Sequence, residues 1–326
     1  MEVAIIKLGA LGDVIRTTPI AEAIKKKYVN SQITWITKPN ALQILRSNPY
    51  IKKVVPTPFQ INGKFEILYN FDMDAEATNL ALNIKAKKKL GFYKEGDYAA
   101  AFNIGAEYYL NTFFDDELKK TNKQTYQEMI FKAAELPYNK ERPRIYLDEA
   151  DKEYARNFIK ENKINQEMLI GIQIGASSRW PSKSWSVQKI FEFIVKAKEK
   201  GYEILILNGP EEKEKLISLS EKLEEKSISI HKNDPQNSIK EFASLINLCK
   251  KVICPDTLVL HLSLALEKPT IGLFFCTTPH EVEDYGLLKK VISPLFGDFF
   301  PEKQDQYSEE LVNSISANEI FLELLK

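Results

Sequence analysis

The amino-acid sequence predicts an α/β fold of two facing Rossmann-like domains, each with a parallel sheet covered by helices, and a cleft between them. Short apolar runs alternate with amphipathic stretches along the chain, which is typical of parallel sheets. The 326 residues are enough for two hydrophobic cores. The alternation also starts again after a segment with prolines at its two ends, residues 137–143. These three observations together indicate two domains.

The first half has four apolar runs rich in β-branched residues, which predict strands at 3–7, 33–37, 54–56 and 67–71. Amphipathic spacing predicts helices at 14–27, 40–46 and 123–134. Residues 94–122 stay unassigned. The segment 137–143, followed by the charged residues 148–153, is the best linker candidate, and we place the domain boundary at residue 150.

The second half repeats the pattern more clearly. Strands are predicted at 169–174, 203–207, 227–230, 251–254, 270–274 and 289–292. Helices are predicted at 190–198, 211–224, 239–248 and 258–266. A last amphipathic helix lies within residues 309–326, and we expect this segment to pack back on the first domain. The second domain then covers 151–308.

Charge and cysteine content describe the class of protein. The chain has 45 Lys and Arg against 45 Asp and Glu, with 22 against 18 before residue 151 and 23 against 27 after it. The first half is therefore the side better suited to an anionic partner, and no nucleic-acid partner is predicted. The three cysteines lie in apolar runs without zinc-ligand spacing, which indicates reduced thiols. No apolar run reaches the about 20 residues that span a bilayer, and no signal-peptide pattern is seen, so we expect a cytoplasmic protein.

A glycine-containing turn follows the first predicted strand. Gly9 and Gly12 allow a tight strand-to-helix connection, and Asp13 stands at its end. The dinucleotide-binding glycine fingerprint is absent, and a carboxylate would repel a pyrophosphate placed there. Asp13 is better suited to take a proton from an acceptor hydroxyl. The alternative is that Asp13 only caps the following helix.

A second loop follows the first strand of the second domain. It combines Gly175, the hydroxyls of Ser177 and Ser178, and the cations Arg179 and Lys183. Backbone N–H groups and fixed cations suit a leaving diphosphate, whose negative charge grows as its bond breaks. A polar loop that neighbouring tryptophans anchor to the core is the alternative.

Polar residues also follow the strand at 251–254. Asp256 or Thr257 is the natural N-cap of the next helix, and His261 lies on the same helix face as Thr257. A helix N-terminus at the carboxyl end of a parallel strand is a common phosphate site in open α/β sheets. These residues predict a nucleotide site.

Three further segments carry candidate residues. Glu212, or less favourably Glu211, could hold ribose hydroxyls, or could only complement a helix dipole. Thr277 places a hydroxyl at the end of another strand. Asp72 and Asp74 form an Asp-x-Asp pattern, which alone is weak evidence for a divalent cation. We predict no metal site, because Arg179, Lys183 and the helix termini can carry the positive charge.

In chain order, these segments resemble glycosyltransferase family 9, which contains the lipopolysaccharide heptosyltransferases. The resemblance covers nearly the whole chain and rests on Lys7-Leu8-Gly9-Ala10-Leu11-Gly12-Asp13, Gly175-Ala176-Ser177-Ser178 with Lys183-Ser184-Trp185, Gly209-Pro210-Glu211-Glu212, Asp256-Thr257 with His261, and Lys268-Pro269 before Thr277-Thr278-Pro279. It implies a GT-B fold, with the acceptor bound by residues 1–150 and the nucleotide sugar by residues 151–308.

The resemblance also implies a reaction, an inverting and metal-independent transfer from an ADP-activated sugar, expected to be heptose, without a cofactor. Asp13 looks like the general base. The donor- and nucleotide-binding residues that it implies are Ser177, Ser178, Lys183, Glu212, Asp256, Thr257, His261 and Thr277. Gly9, Gly12, Gly175 and Arg179 are expected to support these loops.

The implied acceptor is a lipid-linked glycan, the lipopolysaccharide inner core or a related surface glycan, reached by peripheral contact with the cytoplasmic face of the inner membrane. Two alternatives stay open. One is a GT-B hydrolase or epimerase of a nucleotide sugar, and the other is a nucleotide-sugar-binding protein without transfer activity. A nicotinamide dehydrogenase fits less well, because its glycine fingerprint is absent.

Overall fold

A computed structural model describes residues 1–58 and 63–326, and these form two compact units. Unit 1 contains Met1–Tyr146 and His280–Glu283, and unit 2 contains Leu147–Pro279 and Asp284–Lys326. Each unit has a six-stranded sheet. Among the described residues, no helix combines the length and the apolar character that a membrane span requires.

Unit 1 has a sheet in the order β3-β2-β1-β4-β5-β6, in which all neighbours are parallel except β5 and β6. Its strands are β1 (Glu2–Ile6), β2 (Gln32–Thr37), β3 (Lys53–Pro56), β4 (Lys64–Asn70), β5 (Lys85–Glu95) and β6 (Tyr98–Ala101). Its helices are α1 (Leu11–Thr17), α2 (Pro19–Lys27), α3 (Leu42–Leu45), α4 (Ala75–Asn83), α5 (Ile104–Asn111), α6 (Asp116–Thr121) and α7 (Tyr126–Ala133). Because β1 lies beside β4, the residues that follow these two strands share one edge of the sheet.

The first half differs from the sequence prediction in several places. The helix predicted at 14–27 is two helices, because Pro19 has no backbone N–H to continue α1 and begins α2 instead. Residues 94–122, which the prediction left unassigned, contain the end of β5, the paired strand β6 and helices α5 and α6. Helix α4 and the rest of β5 were not predicted either. The four predicted strands of this half are all present.

Unit 2 has an entirely parallel sheet in the order β12-β11-β10-β7-β8-β9. Its strands are β7 (Leu169–Gln173), β8 (Glu203–Leu207), β9 (His231–Lys232), β10 (Lys251–Pro255), β11 (Thr270–Phe274) and β12 (Leu288–Ile292). Its helices are α8 (Glu149–Asn162), α9 (Val187–Glu199), α10 (Lys213–Glu224), α11 (Ile239–Leu248), α12 (Leu258–Ala265), α13 (Phe296–Phe299), α14 (Glu309–Asn313) and α15 (Ala317–Leu324). The strand predicted at 227–230 lies slightly later, as β9. The central strands β7 and β10 are neighbours, so their carboxyl ends are adjacent.

The boundary and the C-terminal segment also differ from expectation. The chain passes from unit 1 to unit 2 after Tyr146. The linker candidate 137–143 lies outside helices and strands, whereas the charged residues 148–153 that follow it begin α8, where Asp148 and Asp151 form a capping box. Residues 309–326 were expected to pack back on the first domain. They form α14 and α15 in the core of unit 2 instead, where the Phe321 ring lies 6.5 Å from that of Phe193.

Gly91 permits the close pairing of β4 and β5. It has φ +92°, and an ideal Cβ at this position would lie 1.9 Å from the Asn70 carbonyl oxygen. Asn70 in turn donates from Nδ2 to the Phe92 carbonyl at 2.8 Å and to the Asp72 carbonyl at 2.9 Å. Gly91 therefore allows β5 to approach Asn70 closely, and the Asn70 side chain fixes the turn that follows β4.

We predict that Gly91→Ala shifts the urea unfolding midpoint much more than Gly96→Ala. Gly96 also has a positive φ, +58°, but a Cβ there meets nothing within 4 Å. The control substitution is expected to cost about 1 kcal/mol for the left-handed backbone alone, whereas Gly91→Ala adds a steric cost of about 1–3 kcal/mol. Circular dichroism measures unfolding of both variants. Equal shifts of the two midpoints would contradict the close contact between Gly91 and Asn70 as the reason for glycine.

Candidate active site

The turn that carries Gly9 and Asp13 is built on a buried ion pair. The Lys7 Nζ lies 2.5 Å from Asp72 Oδ1, and Lys7 is only 3% exposed. Asp72 Oδ2 accepts hydrogen bonds from the backbone N–H groups of Leu8 and Gly9, the second at 2.9 Å. The carboxylate that follows β4 thereby fixes the backbone that follows β1.

The surroundings of Lys7 keep it charged. Burial by itself would lower the pKa of Lys7, but the attraction of Asp72, with weaker contributions from Tyr126 and Asp13, raises that pKa well above its ordinary value. An ideal Cβ on Gly9 would lie 3.1 Å from Asp72 Oδ1, 3.5 Å from Asp13 Oδ2 and 3.5 Å from Lys7 Nζ. Gly9 therefore leaves room for three charged groups to converge.

Asp13 is held by Arg16 and does not cap its helix. The N-cap of α1 is Ala10, so the capping alternative is wrong. The Arg16 Nη2 lies 2.9 Å from Asp13 Oδ1, and its guanidinium carbon lies 3.8 Å from the centre of the Tyr126 ring. Burial would lower the pKa of Arg16, but Asp13 and the nearby tyrosines raise it, so Arg16 is a permanent cation.

The network continues behind Arg16 and leaves the carboxylate accessible. The Tyr126 hydroxyl lies 2.6 Å from Thr17 Oγ1, and its backbone N–H donates to the Glu281 carbonyl at 3.0 Å. The Asp13 side chain remains 36% exposed. The result is an oriented carboxylate that a hydroxyl group can reach.

In unit 2, two adjacent strand ends are joined by side chains. Thr257 is the N-cap of α12, but its hydroxyl makes no cap bond and donates instead to the side-chain Oε1 of Gln173, the last residue of β7. Thr257 follows β10, so this bond connects the carboxyl ends of two neighbouring parallel strands. In an open parallel sheet, this edge is the common ligand site.

Asp256 joins two of the predicted donor-binding residues. The Lys183 Nζ lies 3.1 Å from Asp256 Oδ2, and the His261 Nε2 lies 3.8 Å from Asp256 Oδ1. All three side chains are largely buried, at 14% exposure for Lys183, 16% for Asp256 and 11% for His261. The structure thus brings together residues from two segments that are far apart in sequence.

Glu212 occupies the space beside Gly175. Its Oε2 accepts a hydrogen bond from the Gly209 backbone N–H at 2.6 Å. An ideal Cβ on Gly175 would lie 2.1 Å from Glu212 Cγ, so only glycine fits there without displacing the carboxylate. Glu211, the less favoured candidate, is exposed.

Four other predicted residues are less closely associated. Ser177, Ser178 and Arg179 are exposed, and the Arg179 guanidinium lies 4.8 Å from the Trp180 ring centre. The Thr277 Oγ1 is buried and makes no hydrogen bond within the described part of the chain. A buried hydroxyl without a partner is available to a ligand.

The Asp-x-Asp pattern has a structural role. Asp72 pairs with Lys7, and Asp74 caps α4 by accepting from the Ala77 N–H at 3.0 Å. Within residues 1–58 and 63–326, no group of three or more His, Cys, Asp or Glu side chains is arranged to hold a metal ion.

The sequence prediction missed Lys7, Asp72, Arg16 and Gln173 as site residues. Two features of the sequence could have indicated the pair. Lys7 is a lysine within an apolar predicted strand, and Asp72 is an acid directly after another. The pairing itself joins residues 65 positions apart, and a single sequence does not give such contacts.

Comparison with known proteins identifies the family of this chain. Residues 60–309 match the model of glycosyltransferase family 9 (heptosyltransferase). The lipopolysaccharide core heptosyltransferase OpsX of Haemophilus influenzae is 24% identical over 308 residues, covering 89% of this chain and 83% of that protein. Lipooligosaccharide heptosyltransferase 2 of the same organism is 20% identical, with 96% and 95% covered.

Solved structures show the same fold. The structure of the E. coli ADP-heptose lipopolysaccharide heptosyltransferase II has a TM-score of 0.73 at 15% identity, covering 100% of this chain and 98% of that one. A family 9 glycosyltransferase from Veillonella parvula has a TM-score of 0.71 at 17% identity, with 98% and 95% covered. The two mostly parallel sheets with flanking helices are the GT-B fold, as predicted. This chain belongs to glycosyltransferase family 9 and is a glycosyltransferase.

Proposed function

We propose that this enzyme transfers heptose from ADP-heptose to an acceptor in the lipopolysaccharide inner core, with inversion at the anomeric carbon and without a metal ion. The observation that carries the proposal is the Lys183–Asp256–His261 cluster at the carboxyl edge of the unit 2 sheet. A cation fixed there matches the charge that develops on a leaving diphosphate. The names of the relatives supply the expected sugar and nucleotide.

The acceptor half of the reaction is assigned to unit 1. Asp13 takes the proton of the acceptor hydroxyl while the oxygen attacks the anomeric carbon from the face opposite the leaving group. The bond between that carbon and the β-phosphate oxygen breaks, and ADP leaves with the electron pair. Arg16 orients the Asp13 carboxylate through its contact at 2.9 Å.

The donor half is assigned to unit 2. Lys183 exchanges its contact with Asp256 for the diphosphate, and the Ser177 and Ser178 hydroxyls contact the same phosphates. Glu212 receives the ribose hydroxyls, and Thr257, His261 and Thr277 line the sugar and phosphate site. The three buried free thiols accord with a cytoplasmic enzyme, which would meet its lipid-linked acceptor at the inner membrane.

Asp13→Asn is predicted to reduce the transfer rate by about 10²–10⁴-fold, the range expected for loss of a general base. Affinity for ADP should stay unchanged, because ADP is assigned to unit 2. Product formation from ADP-heptose and a lipopolysaccharide core acceptor measures the effect. Asp97→Asn, which removes an exposed carboxylate of the same unit, is the control. A rate for Asp13→Asn equal to that of the control would exclude Asp13 as the base.

ADP is predicted to raise the melting temperature more than UDP, GDP or NAD does, and by the same amount with and without EDTA. The expected selectivity follows from the assigned ADP-linked donor, and independence of EDTA follows from charge neutralisation by Lys183. A thermal shift assay checks both. Preference for UDP or GDP would reject ADP-heptose, and an ADP shift lost in EDTA would reject metal independence. In a separate measurement, consumption of ADP-heptose at the same rate with and without acceptor would indicate a hydrolase.

Gly175→Ala is predicted to weaken ADP binding by about tenfold, because the new Cβ pushes Glu212 away from its bond to Gly209. Calorimetry with ADP measures the loss. The matched control is Gly175→Ala in a Glu212→Ala background, where the alanine meets no carboxylate and should change affinity little. Equal losses in both backgrounds would show that Glu212 is not the group affected.

A further inference from the structure

Lys215 connects the two segments that carry Lys183 and Glu212. It lies in the first turn of α10, three residues after Glu212, and its side chain is largely buried. Its Nζ donates to Ser184 Oγ at 2.9 Å and to the Trp185 carbonyl oxygen. These acceptors directly follow Lys183, so one ammonium group links the Glu212 segment to the Lys183 loop.

The other side of the same loop is fixed to the C-terminal segment. The Ser182 Oγ donates to the Gln306 carbonyl at 2.9 Å and accepts from the Ser308 N–H at 2.7 Å. The Trp185 Nε1 donates to the Ile315 carbonyl at 2.9 Å. Lys183 therefore projects from a loop that is held from two directions, and Lys215 provides the contact toward Glu212.

Burying the Lys215 ammonium group is energetically unfavourable, which argues against a purely structural contact. In the part of the chain that the structure describes, no carboxylate lies within ion-pair distance of its Nζ, and both of its acceptors are neutral. Burial lowers the pKa of Lys215 to about 8, with only a partial opposing effect from Glu212. An apolar side chain would cover the same surface without this penalty.

We propose that Lys215 is a positioning residue for the donor, which sets the distance between the diphosphate-binding Lys183 and the ribose-binding Glu212. The inference rests on the proposed function, because it uses the donor roles assigned there to both residues. Lys215 itself does not touch the reacting atoms. Its loss is expected to affect ligands that engage both segments and to spare ligands that engage only one.

The test compares Lys215→Met with Lys213→Met, an exposed lysine of the same helix, by calorimetry with ADP and with adenosine. Lys215→Met is expected to weaken ADP binding by about tenfold, as loss of a charged hydrogen-bond donor would, with less than about twofold change for adenosine. Lys213→Met should change neither. Equal weakening of both ligands, or none, would overturn the positioning role.

Two further variants keep the inference testable if Lys215→Met folds poorly. Ser184→Ala removes one acceptor of Lys215 and is expected to weaken ADP binding by about threefold while sparing adenosine. In a Lys183→Met background, Ser184→Ala should cause no further change in ADP affinity. An undiminished change would reject coupling through Lys183.

If the unmodified protein binds no ADP, the proposed function fails and this inference with it. If it binds ADP and Lys183→Met weakens that binding while Ser184→Ala does not, the inference alone fails.

Discussion

The ion pair between Lys7 and Asp72 determines the geometry of the turn that carries Asp13. It joins the ends of β1 and β4, and the second oxygen of the same carboxylate binds the amides that lead into α1. A carboxylate buried without a cation would lose several kcal/mol of solvation, so neither residue can be removed independently. The position of Asp13 depends on this pair, because Asp72 fixes the amides of Leu8 and Gly9, from which the backbone enters α1.

Unit 2 uses a similar pair for a different purpose. Lys183 and Asp256 also join two segments of a parallel sheet edge, but both keep some solvent exposure, whereas Lys7 is almost fully enclosed. A partly exposed ammonium can exchange a carboxylate for a phosphate at little cost, and an enclosed one cannot. The difference in exposure therefore suits the Lys7 pair to holding the fold, and it suits the Lys183 pair to the ligand exchange proposed for it.

The sequence predicted the repeating elements well and the tertiary pairings poorly. Strand periodicity is local, so β1, β8 and β11 were placed within a residue of their observed ends. The charged residues 148–153 were grouped with the linker candidate 137–143, yet they begin α8, because a capping box and a solvated helix have the same composition as a polar loop. In the sequence, Asp72 is recognisable only as part of an Asp-x-Asp pattern. Its partner Lys7 is brought near by the order of the strands, which sequence spacing does not reveal.

Lys7 and Lys215 show how the partner of a buried lysine decides its energetic role. Asp72 raises the pKa of Lys7 above its ordinary value of 10.5, so this lysine contributes stability at every pH below 10.5 and loses it only as pH rises through the higher folded value. Lys215 has neutral partners and a pKa of about 8. The unfolded chain binds its proton more tightly, so its cost is fully present below pH 8 and disappears as pH rises to 10.5. At neutral pH, unit 2 therefore carries a buried positive charge on Lys215 that none of its hydrogen-bond partners neutralises. This charge is bonded to Ser184, the residue that follows Lys183. An anionic ligand at Lys183 would relieve part of that cost, and binding would then stabilise the fold.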